Sequence, residues 1–125
     1  MEVYGIGTDI IEIARFARDG KPPGERFMFR CFAPGERERL RGRPLEALAG
    51  AFAAKEAVAK AMGTGFVGFW PSAIEIRHGR TGKPEVVLHG GAERIAEAAG
   101  IVRIDVSISH NWSMAVAMAV AHTHA

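Results

Sequence analysis

The run PLEALAGAFAAKEAVAKAMGTG, residues 44–65, decides how the chain folds. Its spacing predicts the longest helix of the chain, from Pro44 to Met62, ended by Gly63-Thr64-Gly65. At about 100° per residue, Leu45, Leu48, Phe52 and Met62 fall within one arc, while Ala47, Gly50, Ala53, Ala54, Ala57 and Ala61 cover the opposite side. Residues that small allow another backbone to approach closely. Lys55 falls inside the apolar arc, and Glu56 and Lys60 lie on its edge one turn apart. An ordinary surface helix carries no charge there, so this strip is expected to open onto a cleft or an interface rather than bulk water.

On the N-terminal side, Val3–Asp9 reads as a strand interrupted by Gly5 and Gly7, where a neighbouring backbone or a ligand can come close. Asp9 is expected at its outgoing end. Ile10, Ile13, Ala14 and Ala17 then have helical spacing, with Thr8 or Asp9 able to cap the start and Gly20 beyond the end. Pro34-Gly35-Glu36 reads as another helix start, with proline in the first turn and an acid at the positive end of the dipole. On the C-terminal side, Ala73–Arg77 and Glu85–His89 flank a turn-like Gly79–Pro84 and read as a hairpin, followed by a short helix over Gly91–Ala99. Val102, Ile104, Val106 and Ile108 alternate with polar residues, as in a half-buried strand. Met114–Ala121 alternates Met or Val with Ala, as in a strand covered on both faces. A mixed order ending in a hairpin predicts an α+β fold: a single small domain, residues 1–125, with one long helix and antiparallel strands.

A chain of 125 residues with 48% hydrophobic and 24% charged content fits one globular domain, able to bury roughly two-thirds of the surface its unfolded form exposes. No segment approaches the ~20 apolar residues of a membrane span, and Glu2 with the Gly5/Gly7 pair stands where a secretory leader has basic and apolar runs. The cytoplasm is the expected compartment. The single cysteine, Cys31, cannot form an internal disulfide and reads as a structural thiol. A net charge of +2 is too small for a nucleic-acid binder, yet Arg15, Arg18, Lys21, Arg26, Arg30, Arg37, Arg39, Arg41 and Arg43 all fall in the first third. That block is a candidate docking surface for an acidic protein or for phosphates, although any one of these arginines also reads as a solvated helical face.

Two carboxylates stand out for chemistry. Asp9 is at a strand end and Glu56 on the long helix, each where a plainly solvated acid is not expected. Magnesium suits such a pair, since it takes about six oxygens and is typically held by one or two carboxylates, with water and phosphate oxygens completing the set. Against this, Asp9 reads equally as a helix cap and Glu56 as an i,i+4 partner of Lys60. Lys60 sits one turn toward the glycine-rich end, where an ammonium and backbone N–H groups could meet phosphate oxygens. Ser107, Ser109 and His110 lack the nucleophile elbow of a serine hydrolase. His122 and His124 are assigned to a frayed terminus and given no role.

Three segments taken together carry a resemblance. Gly5-Ile6-Gly7-Thr8-Asp9-Ile10, the block Phe52–Ala61 with its Gly63-Thr64-Gly65 tail, and Ser107-Ile108-Ser109-His110 resemble the bacterial holo-acyl-carrier-protein synthase family, in its order and at its usual distances. Phe32-Ala33-Pro34-Gly35-Glu36-Arg37 is similar to the family's segment at that place. The resemblance implies the 4′-phosphopantetheinyl transferase fold and a homotrimer with active sites shared between neighbouring subunits. It also implies the reaction, which is magnesium-dependent transfer of 4′-phosphopantetheine from coenzyme A to a serine of apo acyl carrier protein, releasing 3′,5′-ADP, for fatty acid biosynthesis. By the same carry-over Asp9 and Glu56 match the magnesium ligands. Lys60 matches the lysine on the pyrophosphate, with the Gly63-Thr64 backbone beside it. Lys83, Pro84, Ser109 and His110 match positions near the nucleotide end, where the 3′-phosphate needs positive donors. Arg15 matches a basic residue that meets the acidic carrier, and Arg18, three residues on, shares its face. Glu56 or Glu36 could take the serine proton, and the sequence does not choose between them. One departure is visible, since Ala51 stands where the family often has an arginine. The alanine face and the apolar last strand also offer more packing surface than a small domain covers alone, which favours assembly. The alternative is a non-catalytic module that binds coenzyme A or an acidic protein; it leaves the charges on the apolar arc unexplained.

Overall fold

The computed structural model describes residues 1–17 and 19–124. In chain order they form β1 (Glu2–Glu12), α1 (Ile13–Phe16), α2 (Glu25–Cys31), α3 (Pro34–Leu40), α4 (Leu45–Ala61), a 3₁₀ turn (Pro71–Ala73), β2 (Ile74–His78), β3 (Pro84–Leu88), α5 (Gly90–Ala99), β4 (Ile101–His110) and β5 (Met114–Thr123). The fold is α+β. β5 lies between β1 and β4 in one antiparallel sheet, and β2 pairs with β3 in a separate hairpin.

The long helix forms as its spacing requires, and its alanine side packs on β1 and β5. Gly5 and Gly7 make this contact possible. A Cβ on Gly7 would stand 1.9 Å from the Ala57 carbonyl oxygen, and one on Gly5 2.2 Å from that of Ala61. Only glycine lets the strand lie directly on the helix backbone. From β5, Ala115, Ala117, Ala119 and Ala121 face the helix, all of them buried. The other side of α4 closes a second cluster, where Leu48 and Ala51 meet Cys31, Phe32 and Leu40. Phe27, Phe32 and Phe52 meet there in edge-on and tilted contacts, with ring centroids 5.5–6.5 Å apart. Enclosing Phe32 alone contributes roughly 1.5–3 kcal/mol.

Several expectations are corrected. Residues 10–12 continue the strand instead of opening a helix, because Ile10 and Ile11, both β-branched, pair with Val116 and Ala115. Asp9 is therefore inside a strand and caps nothing. A register shift between Ile101 and Arg103 buries Ile101 and leaves Val102 exposed. The last strand is covered on one face only. On the other, Val116 and Met118 remain 41% and 49% exposed beside Ile10 and Ile6 of β1, at 62% and 63%. The helix over Glu25–Cys31 was not anticipated. His122, assigned to a frayed end, sits within β5 with Nε2 donating to Asp105 Oδ2 at 3.0 Å.

Candidate active site

Side chains alternate along β1, so with Ile10 outward Asp9 turns toward α4. There Lys60 Nζ donates to Asp9 Oδ1 at 3.2 Å and to the Thr8 carbonyl at 2.8 Å. Glu56 stands one turn before Lys60. Burial, and then the charge of Asp9, push its carboxyl above the ordinary carboxylate value, while Lys60 opposes the rise. Two acids thus repel each other across a site that holds one ammonium. Their all-oxygen donor set and mutual repulsion fit a hard divalent cation. Among the described residues no cluster of three potential ligands exists, so water and substrate oxygens would fill the other positions.

The chain after α4 folds back over the helix end. Gly63, at φ 82°, donates its N–H to Lys60 O, and Gly65 donates to Ala59 O. Thr64 N–H is left without a backbone acceptor among the described residues. Thr64 Oγ1 donates to Gly65 O at 2.9 Å.

A second group gathers elsewhere. Pro84 and His110 line a cavity of about 230 Å³ whose wall includes Ala51, Arg39, Arg43 and His78. Lys83 is exposed and does not line it, and Ser109, opposite Val116, belongs to the uncovered sheet face. On α4, Ala51 and Glu56 are separated by roughly 140° of rotation and about 7.5 Å of rise along the axis. Asp9, Glu56 and Lys60 thus come together, while Pro84 and His110 share a cavity that none of those three lines.

Residues 5–117 match the 4′-phosphopantetheinyl transferase superfamily. A holo-acyl-carrier-protein synthase from Caldanaerobacter subterraneus is 47% identical, over 96% of this chain and 96% of that protein. The chain belongs to the holo-acyl-carrier-protein synthase family. Among solved structures, the synthase from Neisseria meningitidis superposes with a TM-score of 0.89 at 38% identity, covering 98% of this chain and all of that one. The Bacillus anthracis synthase in complex with coenzyme A (3′,5′-ADP) gives a TM-score of 0.75 at 34% identity, with 97% of each chain covered.

Glu36, the other candidate base, is enclosed. It is 1% exposed, receives the Lys55 ammonium on Oε1 at 2.5 Å, caps its own helix through Ala33 N–H at 2.8 Å and accepts from Ile76 N–H on Oε2 at 2.9 Å. Lys55, expected to line a cleft, is fully buried and also donates to the Ile74 carbonyl. Its place in the apolar arc reflects an ion pair that ties α4 to α3 and β2. Arg15 is exposed on α1 and borders a cavity of about 480 Å³ with Phe16, Phe27 and Phe52. Phe52, which lines this cavity, precedes Glu56 by one turn of α4. Arg18 lies outside the described residues.

Proposed function

We propose that this chain transfers the 4′-phosphopantetheine arm of coenzyme A to a serine of an apo acyl carrier protein, releasing 3′,5′-ADP, with magnesium held by Asp9 and Glu56. The observation that carries the reading is the Lys60 ammonium anchored to Thr8 O and Asp9 beside Glu56, in a family with a solved member in complex with coenzyme A. Magnesium, when bound, would offset the charge of the pyrophosphate and draw electrons from the phosphorus under attack.

The remaining work falls to the chain's own groups. The carrier serine Oγ forms the new bond to the phosphorus that bears pantetheine, and its proton goes to a carboxylate, directly or through ordered water. With Glu36 enclosed, Glu56 is the acid in reach. The bond to the bridging oxygen breaks, its electron pair leaves on 3′,5′-ADP, and Lys60, half exposed at the rim, meets that charge. The Thr64 N–H offers a further donor. Arg15 attracts the acidic carrier.

The open sheet face of Ile6, Ile10, Val116 and Met118 favours assembly with further copies, which we take to be a homotrimer. In it the Pro84–His110 group of one copy would meet the Asp9–Glu56–Lys60 group of the next. The buried free thiol of Cys31 is at home in a reducing cytoplasm. Incubating the protein with apo carrier, coenzyme A and magnesium, then weighing the carrier, tests the reading. Gain of the phosphopantetheine mass is expected, lost on chelation or in Asp9→Ala. A carrier of unchanged mass, with the protein folded, leaves only a binding module.

A further inference from the structure

A cavity of about 660 Å³ opens where α2, α3, the 3₁₀ turn, β2 and the start of α5 meet, and none of Asp9, Glu56, Lys60, Pro84 and His110 lines it. Its walls are aromatic. Phe29 comes from α2, Phe32 from just after it, and Phe69 and Trp70 from the segment that follows the glycine stop of α4. Contacts within the chain hold these walls in place. Phe69 meets Phe66 edge to face at 6.1 Å, and a Cβ on Gly91 would stand 2.7 Å from the Gly68 carbonyl oxygen, so the segment lies directly on the first turn of α5. Phe29 and Trp70 stay exposed, with the Arg37 guanidinium 5.2 Å from the Phe29 ring and that of Arg30 4.8 Å from Trp70. A volume inside the roughly 300–1,000 Å³ of small-molecule sites, with aromatic walls, suits an apolar body.

The polar lining leans to one sign. Glu75, the one acid among the described lining residues, is buried and already engaged: Oε2 accepts from Arg77 Nε at 3.0 Å, and Oε1 accepts from Arg77 Nη2 at 3.2 Å and from His89 Nε2 at 2.7 Å. Gly35 lets α3 close over this carboxylate, since a Cβ there would stand 3.1 Å from Oε2. Glu75 therefore anchors cations of the chain and leaves little room for another. Arg37 donates from Nη1 to the Phe32 carbonyl at 2.7 Å and has no acid partner among the described residues. Two guanidinium groups, each fixed along one edge, thus border the cavity with donors still unused.

We infer that this cavity binds a small carboxylate carried on an apolar chain or ring, with the apolar body against Phe29, Phe69 and Trp70 and the carboxylate on Arg37 and Arg77. The planar fork of a guanidinium matches the two oxygens of a carboxylate. Charge sets the class of anion. With His89 counted as neutral, Arg37 and Arg77 against Glu75 leave a single positive charge on the lining, which a carboxylate offsets and a phosphate dianion exceeds. A dianion would also bring more hydration into a hollow whose walls are aromatic and cannot replace it. This site is separate from the coenzyme A reading and does not depend on it.

Decanoate and 2-naphthoate serve as the probes, one an aliphatic and the other an aromatic carboxylate, with decanol and decylamine as uncharged and cationic counterparts of the first. Binding to the full-length protein at neutral pH is read by calorimetry, below micelle-forming concentrations, and by fluorescence of a Trp112→Phe protein in which Trp70 is the single tryptophan. At least one carboxylate should bind and change the Trp70 emission, and the tighter of the two shows whether chain or ring is the preferred body. Decanol and decylamine should bind about tenfold more weakly than decanoate, the difference made by a hydrogen bond to a charged group. Arg37→Gln, which can still donate toward the Phe32 carbonyl but carries no charge, should weaken the carboxylates by about the same factor and leave decanol within about twofold. Should Arg37→Gln fail to fold, Arg77→Gln puts the same question to the second fork. Coenzyme A with magnesium should not displace the probe. Failure of both carboxylates to bind, equal binding of decanol, an unchanged affinity in the folded arginine variant, or displacement by coenzyme A would each overturn the assignment. Binding is read without turnover, so any of these results leaves the transferase reading to its own test.

Discussion

Replacing Glu36 by Gln separates a structural acid from a catalytic one. The substitution preserves shape but removes the negative charge next to Lys55, which stays enclosed with the Pro71 and Ile74 carbonyls as its remaining partners. It also puts an NH₂ or a single carbonyl where two oxygens now accept from Ala33, Ile76 and Lys55. Stranding one member of a buried ion pair costs about 3–5 kcal/mol. For a chain of 125 residues each kcal/mol lowers the melting temperature by about 4 °C, so a fall of roughly 12–20 °C is expected. Against a total stability of about 5–15 kcal/mol, the variant should remain folded at low temperature. Thermal unfolding by circular dichroism gives the shift, and initial rates of carrier modification well below both midpoints should stay within about threefold of the parent. Adding Lys55→Met should recover part of the loss, since the pair is coupled. The opposite pattern, a melting temperature moved by less than about 2 °C with the rate down more than a hundredfold, would refute the argument and restore Glu36 as the base.

Gly7→Ala should destabilise by about 1–3 kcal/mol or more, because its methyl would enter the Ala57 carbonyl; transfer should fall with it as β1 carries Asp9 away from Lys60, and an active variant of normal stability would contradict the close approach. Burial alone would raise the Glu75 carboxyl, but hydrogen bonds from Arg77 and His89 outweigh it and hold the group below its ordinary 4.5. A depressed carboxyl contributes stability above about pH 4.5 that is lost as pH falls through the folded value. Arg77→Ala should therefore lower urea midpoints near neutral pH and flatten their decline into acid, and parallel curves would dismiss the pairing. Met118→Glu, on the open sheet face, should yield monomers by light scattering and abolish transfer if sites are shared between copies; an active monomer would exclude sharing. Arg15→Glu should raise the carrier KM at least tenfold with little change for coenzyme A, and the unmodified enzyme should lose carrier affinity with salt as screening shortens toward 8 Å; an unchanged KM would remove the docking role.

What the sequence made legible depends on how far apart the interacting residues are. The helix over 45–61, its glycine stop and the hairpin of β2 and β3 are local patterns, and they formed nearly where expected. The close approach at Gly5 and Gly7 was also readable, though its partner was not, since Ala57 and Ala61 lie about fifty residues on. Ile10, Ile13, Ala14 and Ala17 have genuine helical spacing, but the ladder offered by β5 outcompeted it for the first of them. Propensity had no way to register a partner more than a hundred residues away.

The same limit explains the charges on α4. A helical projection gives each side chain an angle but no depth, so Lys55, Glu56 and Lys60 looked like one strip. Depth is set by what arrives from elsewhere. α3 delivers Glu36 to Lys55, and the pair is sealed; β1 delivers Asp9 to Lys60, and that pair stays at the rim, with the lysine 51% and the aspartate 17% exposed. A buried pair is satisfied and inert, whereas a rim pair next to a second acid keeps carboxylate oxygens available to a metal and an ammonium available to a phosphate. Alternation in β5 has the matching ambiguity. It says that one face is alanine and the other Met or Val, but not whether this chain covers the second. Here it does not, and the uncovered face is on the same sheet as Asp9. The proposed assembly draws on what the fold leaves open, and under that proposal the two site groups would meet between copies.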